Sequence, residues 1–349
     1  MPRITPTGEK IDRLRAFWKR AETDRPLIGA TISTFPSVRA VRREGILGPE
    51  DLDLEENLKE LDEEWEEWRD VAGDAVWVAN PLWAFPWHLA IAGCPILHAG
   101  GNLWGQPALD SWDQLASVRF DAANPWFRRL LEFTVRLVEH SGGRYPVGAG
   151  QLMLGPVDMM MQLRGQDRLA FDFYDAPEMV EKLGERCARL CAEATAAQYA
   201  AVPPYHGGYA GTIRWLWAPG RLVETAEDLS FMTSPAAHRR FIAPLHAALG
   251  RLFPYTIVHL HSAQLHTVPG LLEIEEVAAI QITPDYGEDM RPYLPIMGQI
   301  LERKPLIVHG VMAVAVAREL ARALPARGLC LLCRCDSPAE ARAMLADWT

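Results

Sequence analysis

Tyr255-Thr256-Ile257-Val258-His259-Leu260-His261 is the stretch on which the fold turns. Its β-branched and apolar residues read as a strand. Downstream of it, helix and strand alternate. Residues 271–277 read as helix and Ala279-Ile280-Gln281-Ile282 as strand. Residues 293–303 read as helix, Pro305-Leu306-Ile307-Val308-His309 as strand and 313–324 as helix. Residues 328–333 form the last strand and 337–345 the last helix. The same alternation runs upstream. Residues 8–24 place Ile11, Leu14, Phe17 and Trp18 at helical spacing, Pro26 stops that helix, and Leu27-Ile28-Gly29-Ala30-Thr31-Ile32 is a short strand. Further strands are expected at 74–80, at 145–149 and at Thr212-Ile213-Arg214-Trp215-Leu216-Trp217. Helices are expected over 125–141, over 177–198 and from Ser234-Pro235 to about residue 253.

Strands alternating with helices mean βαβ units and parallel pairing. About eight such units, with no Walker A motif and no Gly-rich dinucleotide fingerprint, favour a closed barrel over a doubly wound sheet. The expectation is a single (β/α)8 TIM barrel spanning 1–349, of class α/β, with an N-terminal helical extension. The acidic stretch 49–70 reads as a solvated helix face opposite Leu54, Leu58, Leu61, Trp65 and Trp68.

Bulk properties narrow the partners. The formal net charge of −10 gives little of the phosphate electrostatics that nucleic-acid binding needs. No apolar run reaches the roughly 20 residues that span a bilayer, and the polar N-terminus lacks a signal peptide's apolar core. A cytoplasmic protein with a small-molecule substrate, no nucleic acid and no membrane follows as the expectation, with a homodimer left open. The six cysteines fit free thiols or metal ligands better than a disulfide framework.

Barrel enzymes place their chemistry at the C-terminal ends of strands. That rule nominates Asn80, Gln151, Trp217, His259, His261, Asp285, His309 and the cysteines at 330, 333 and 335. Residues two apart on a strand share a face, so His259 and His261 make half of a zinc site. The third ligand would come from Cys330, Cys333 or Cys335, with Cys333 preferred. The histidines could instead do acid–base work without metal, and the cysteines could be packing residues. The aromatic segment with Trp77, Trp83, Phe85, Trp87 and Trp104 either walls a substrate pocket or covers the barrel top; Trp215 and Trp217 pose the same choice. Asp285 suits a proton donor or an orienter of a metal-bound histidine, or it caps a turn. Arg164 suits a planar fork for a carboxylate or a structural ion pair. No Gly-x-Ser-x-Gly elbow is present.

Four stretches together resemble the uroporphyrinogen decarboxylase superfamily. They are Gly73-Asp74-Ala75-Val76-Trp77-Val78-Ala79-Asn80; Gly155-Pro156-Val157-Asp158 with Leu163-Arg164-Gly165 and Asp175-Ala176-Pro177-Glu178; Ala218-Pro219-Gly220-Arg221 through Asp228-Leu229-Ser230 to Ser234-Pro235; and His259-Leu260-His261-Ser262 with Lys304-Pro305-Leu306-Ile307-Val308 and Asp336-Ser337-Pro338-Ala339-Glu340. The decarboxylase branch carries an Arg-rich N-terminal segment, which Thr31-Ile32-Ser33-Thr34-Phe35-Pro36 replaces here. The zinc-dependent branch moves methyl groups between a corrinoid and a thiol, with zinc on a His-x-Cys pair plus a distant Cys. His259 matches that His, and His261 stands where the Cys is expected.

The resemblance thus implies a zinc-dependent methyltransferase with metal ligands His259, His261 and Cys333. The residue reading adds Asp285, Asn80 and His309 as catalytic groups, and Trp83, Trp87, Arg164, Trp217 and Gln151 around the substrate. A corrinoid would be free or carried by a partner protein. The alternative is a metal-free decarboxylase of a small carboxylic acid, with Arg164 or Arg214 on the carboxylate.

Overall fold

Six strands form one parallel sheet: β1 (Leu27–Ile32), β2 (Leu222–Ala226), β3 (Tyr255–His261), β4 (Val277–Thr283), β5 (Leu306–Gly310) and β6 (Leu329–Cys335). They lie in the order β1-β6-β5-β4-β3-β2, so the first and last strands are neighbours. The computed structural model describes residues 6–32, 38–82, 85–150, 155–211, 215–285, 288–346 and 348. Helices intervene between successive strands from β2 onward: Ala243–Gly250, Val268–Leu272, Leu294–Arg303 and Val314–Ala323, with Pro338–Ala346 closing the series. Every residue of β5 is buried, as expected where helices cover a parallel sheet on one face and side chains fill the other. The chain is therefore mixed α/β around a six-stranded parallel sheet.

Two segments read as strands in the sequence, 74–80 and 145–149, are extended backbone held by single bridges. Gly29 bridges Gly73 beside β1, and Ala79 bridges Val147 in parallel. The Gly29–Gly73 crossing requires its glycines. A Cβ on Gly29 would lie 2.7 Å from Leu332 Cδ2, and one on Gly73, whose φ is +64°, would lie 2.7 Å from the Ile28 carbonyl. Asp74 anchors the start of β1. It is 2% exposed, receives Arg25 at 2.6 Å and accepts the Ile28 amide at 2.9 Å.

The sequence placed a sheet strand at 212–217, and the structure places it later. Residues 212–214 lie outside the described residues. Trp217–Ala218 pairs antiparallel with Tyr209–Ala210 in a two-residue ribbon, and Leu222–Ala226 enters the sheet against β3. Glu224 and Thr225 interrupt the apolar run of this strand, yet both are buried.

The N-terminal extension is α1 (Thr7–Trp18). It buries Ile11, Leu14 and Phe17. Its Trp18 stacks edge-on against Tyr255, the first residue of β3, at 5.0 Å and donates to the Trp217 carbonyl at 2.8 Å. α1 thus covers the N-terminal ends of the strands. Among the described residues, no helix is long and apolar enough to cross a membrane.

Candidate metal centre

Register fixes which side chains share a face, because partners in a parallel ladder point the same way. His259 pairs with Gln281, Gln281 with Ile307 and Ile307 with Cys330. Two residues further along, His261 pairs with Thr283 and His309 with Leu332. Thr31 pairs with Arg334, and its hydroxyl is hydrogen-bonded to His309 Nε2 at 2.9 Å. His259, His261, Gln281, Thr283, His309, Thr31 and Arg334 therefore share the inner face near the C-terminal ends of the strands.

Alternation excludes Cys333 from that face. Leu332 and Arg334 point inward, so Cys333 and Cys335 point outward. Burial first, then the charge of Glu340, pushes the Cys333 thiol up to about 12. The group that stands with the two histidines is a carboxylate, where the sequence reading preferred Cys333. Asp228 follows β2 directly and opens the short turn of helix Asp228–Met232. Asp228, His259 and His261 each offer one ligand atom, and these atoms all lie within 4.8 Å of one another.

Both imidazoles are oriented from behind. His259 Nδ1 donates to Gln281 Oε1, and Gln281 Nε2 donates to Thr283 Oγ1 at 3.0 Å. With its amide nitrogen committed to Thr283, Gln281 presents its oxygen to His259 and selects the Nδ1–H tautomer. The basic nitrogen of that ring is then Nε2. His261 Nδ1 meets Asp285 Oδ1 at 3.2 Å, with the same consequence for its ring. Asp285 is thus brought beside His261. Ser262 and Tyr293 donate their hydroxyls to Glu288, whose carboxylate also accepts the Asp285 amide at 3.2 Å.

A buried carboxylate lies directly behind Asp228. Glu227 is 0% exposed. It receives His238 Nε2 at 3.0 Å, His246 Nε2 at 2.7 Å, Ser230 Oγ at 3.1 Å and Thr267 Oγ1 at 2.9 Å. Burial pulls this carboxyl upward, but the hydrogen bonds and charges of His238 and His246 outweigh it and hold it down at about 2. Nearby Asp158 goes the other way. Burial first, then the negative charge of Asp228, raises it well above the carboxylate range.

The remaining sequence candidates fall elsewhere. Trp83 and Gln151 lie outside the described residues. Asn80 is buried and donates to the Val78 carbonyl at 3.2 Å. Trp87 is a core residue, 1% exposed, donating to the Pro81 carbonyl at 2.8 Å and packed on Phe85 and Phe133. Arg164 is committed to structure. It pairs with Asp172 at 2.6 Å, donates to the Leu109 and Asp110 carbonyls and sits 4.4 Å over Trp112, which leaves no fork for a substrate. Trp217 is at the wrong end: it neighbours Trp18 and hence Tyr255, and the length of β3 puts that residue roughly 20 Å from His261.

Sequence reasoning missed three residues here. Asp228 was hidden because β2 was not recognised as a strand; a strand at 222–226 places Asp228 just beyond its C-terminal end. Gln281 was read only as part of β4, although its register with His259 follows once the two strands are paired. Arg334, between two cysteines, drew no attention, yet its register with Thr31 places it on the inner face.

No family model matches the sequence, and no curated protein matches it. Among solved structures, the chain is similar to a methyltransferase from Methanosarcina mazei, with a TM-score of 0.64 and 14% identity over 96% of this chain and 98% of that one. That likeness is one of fold along essentially the whole length of both chains.

Proposed function

We propose that the protein is a metal-dependent methyltransferase with zinc held by Asp228, His259 and His261. The observation that carries this reading is the set of three ligand atoms within 4.8 Å, with both imidazoles oriented through Nδ1. Two imidazoles and a carboxylate fit zinc in a catalytic site, where three protein ligands leave a position open. The fold shared with a methyltransferase supports the same reading. In this reading the fold is a (β/α)8 barrel, with the segments at 72–80 and 145–150 as the two staves beyond the six-stranded parallel sheet.

Zinc in this site would act as a Lewis acid that makes the acceptor's attacking atom easier to deprotonate. The chain's own residues do the rest. Gln281 and Asp285 fix the two rings. Asp228 supplies an oxygen donor where the resemblance implies thiolates, which shifts the site toward harder ligands and acceptors. Thr31 orients His309 on the same face, and Arg334 offers a cation to an anionic group of the substrate. The methyl donor in this reading is a methylated corrinoid, free or carried on a partner protein.

Metal analysis of purified protein tests the site. The expected result is about one zinc per chain in wild type and a small fraction of that in Asp228→Ala and His261→Ala. Equal zinc in all three overturns the ligand set. Methylcobalamin demethylation in the presence of thiol, amine and hydroxyl acceptors tests the reaction, and no acceptor-dependent spectral change with the zinc-loaded protein overturns methyl transfer from a corrinoid.

A further inference from the structure

We infer that Gln264 is a positioning residue that sets the spacing between Asp228 and His261, with Glu227 as its buried anchor. This rests on the metal reading above. The two ligands come from different strand ends and have no covalent reason to keep a fixed separation. Gln264 supplies one. Its Oε1 accepts the backbone amide of His261. Its Nε2 donates to the Glu227 carbonyl at 3.2 Å and to Asp228 Oδ1 at 3.4 Å. A single side chain, 2% exposed, thus touches the backbone at one ligand and the carboxylate of the other.

The anchor behind it is equally specific. The Glu227 side chain gathers donors from three elements: Ser230 from its own turn, His238 and His246 from the helical segment that precedes β3, and Thr267 from the turn after β3. That segment includes a π-helical stretch, His238–Ile242, an irregularity that places His238 and His246 on one carboxylate oxygen. The peptide linking Glu227 to Asp228 is therefore held on one side by four donors and on the other by Gln264. The contact of Gln264 Nε2 with Oδ1 limits rotation of the Asp228 side chain. Groups behind metal ligands in this way commonly change affinity by about 10–100-fold when removed.

The test measures metal binding with zinc and cobalt(II) on the full chain. Gln264→Met keeps the length of the side chain and removes both hydrogen-bonding ends. It is expected to weaken zinc binding about 10-fold or more by chelator competition and to shift the visible bands of the cobalt-loaded protein. The melting temperature of the metal-free variant is recorded alongside, because a purely structural role would lower it while leaving the cobalt spectrum in place. Thr267→Val, which removes one donor to Glu227, is the second variant. A smaller loss, about 2–5-fold, and a cobalt shift in the same direction are expected. A wild-type cobalt spectrum with zinc affinity within about twofold in the folded variants overturns the bracket. Wild-type protein that takes up neither ion overturns the metal reading itself, a different and separately visible outcome.

Discussion

His259 donates its Nδ1 proton to Gln281, its own register partner on the adjacent strand, and Gln281 donates in turn to Thr283 two residues along. The tautomer of His259 is thus set by the ladder of the sheet. Gln281→Leu preserves volume and removes the acceptor. It should reduce zinc affinity by about 10–100-fold, read by competition with a chromogenic chelator. Affinity equal to wild type would mean that His259 needs no orientation.

Cys333 and Asp228 make opposite predictions. Cys333→Ala removes an outward-facing, buried thiol. It should leave the metal content unchanged and lower stability by about 1 kcal/mol. Asp228→Ala should do the reverse, emptying the site of metal with little loss of stability in the metal-free protein. Elemental analysis and denaturant melts of the two variants, side by side, decide between them.

Arg164 separates a structural from a substrate role. Both partners of its pair with Asp172 are nearly buried, with side chains 10% and 12% exposed. Arg164→Met leaves Asp172 as an uncompensated charge, at a cost of about 3–5 kcal/mol. Arg164→Met with Asp172→Leu should recover much of this. A stable single variant with impaired turnover would return Arg164 to the substrate.

Glu227 makes the fold acid-sensitive in a defined window. Its carboxyl titrates near 4.5 when free of the fold and about 2 within it. The folded state therefore gains stability from this group fully above pH 4.5. The gain is lost as pH falls from 4.5 toward 2 and is absent below. A contribution of about 3 kcal/mol corresponds to that displacement. Metal-free Glu227→Gln should be less stable than wild type at pH 6 and show a flatter decline between pH 4.5 and 2, measured by chemical denaturation.

Legibility followed physical cause. The predominantly apolar strands β3 to β6 were readable because burial on both faces demands such runs. β2 was not, since Glu224 and Thr225 break its apolar run and sequence spacing does not show that both are buried. The histidine pair was readable from strand periodicity alone. Its third member was not: a loop carboxylate is positioned by where its preceding strand ends, and a missed strand hides it. Cys333 was chosen by residue type, whereas its face depended on a register counted across four strands. Arg164 and Trp87 were assigned to the substrate, with their structural roles left as alternatives, because isolated sequence gives no sign of Asp172 or of the Pro81 carbonyl.

The adjacency of β1 and β6 has a kinetic consequence. Each residue from Leu27 to Ile32 finds its hydrogen-bonding neighbour in the run from Cys330 to Cys335, so nearly the whole chain must be synthesised before the first strand acquires that edge. Loop-closure entropy of this size slows folding. Until then β1 exposes an unpaired edge, which the crossing at Gly73 covers on its other side. A nascent chain stalled before residue 329 should accordingly engage chaperones or aggregate through β1, and supplying the missing C-terminal segment in trans should protect it.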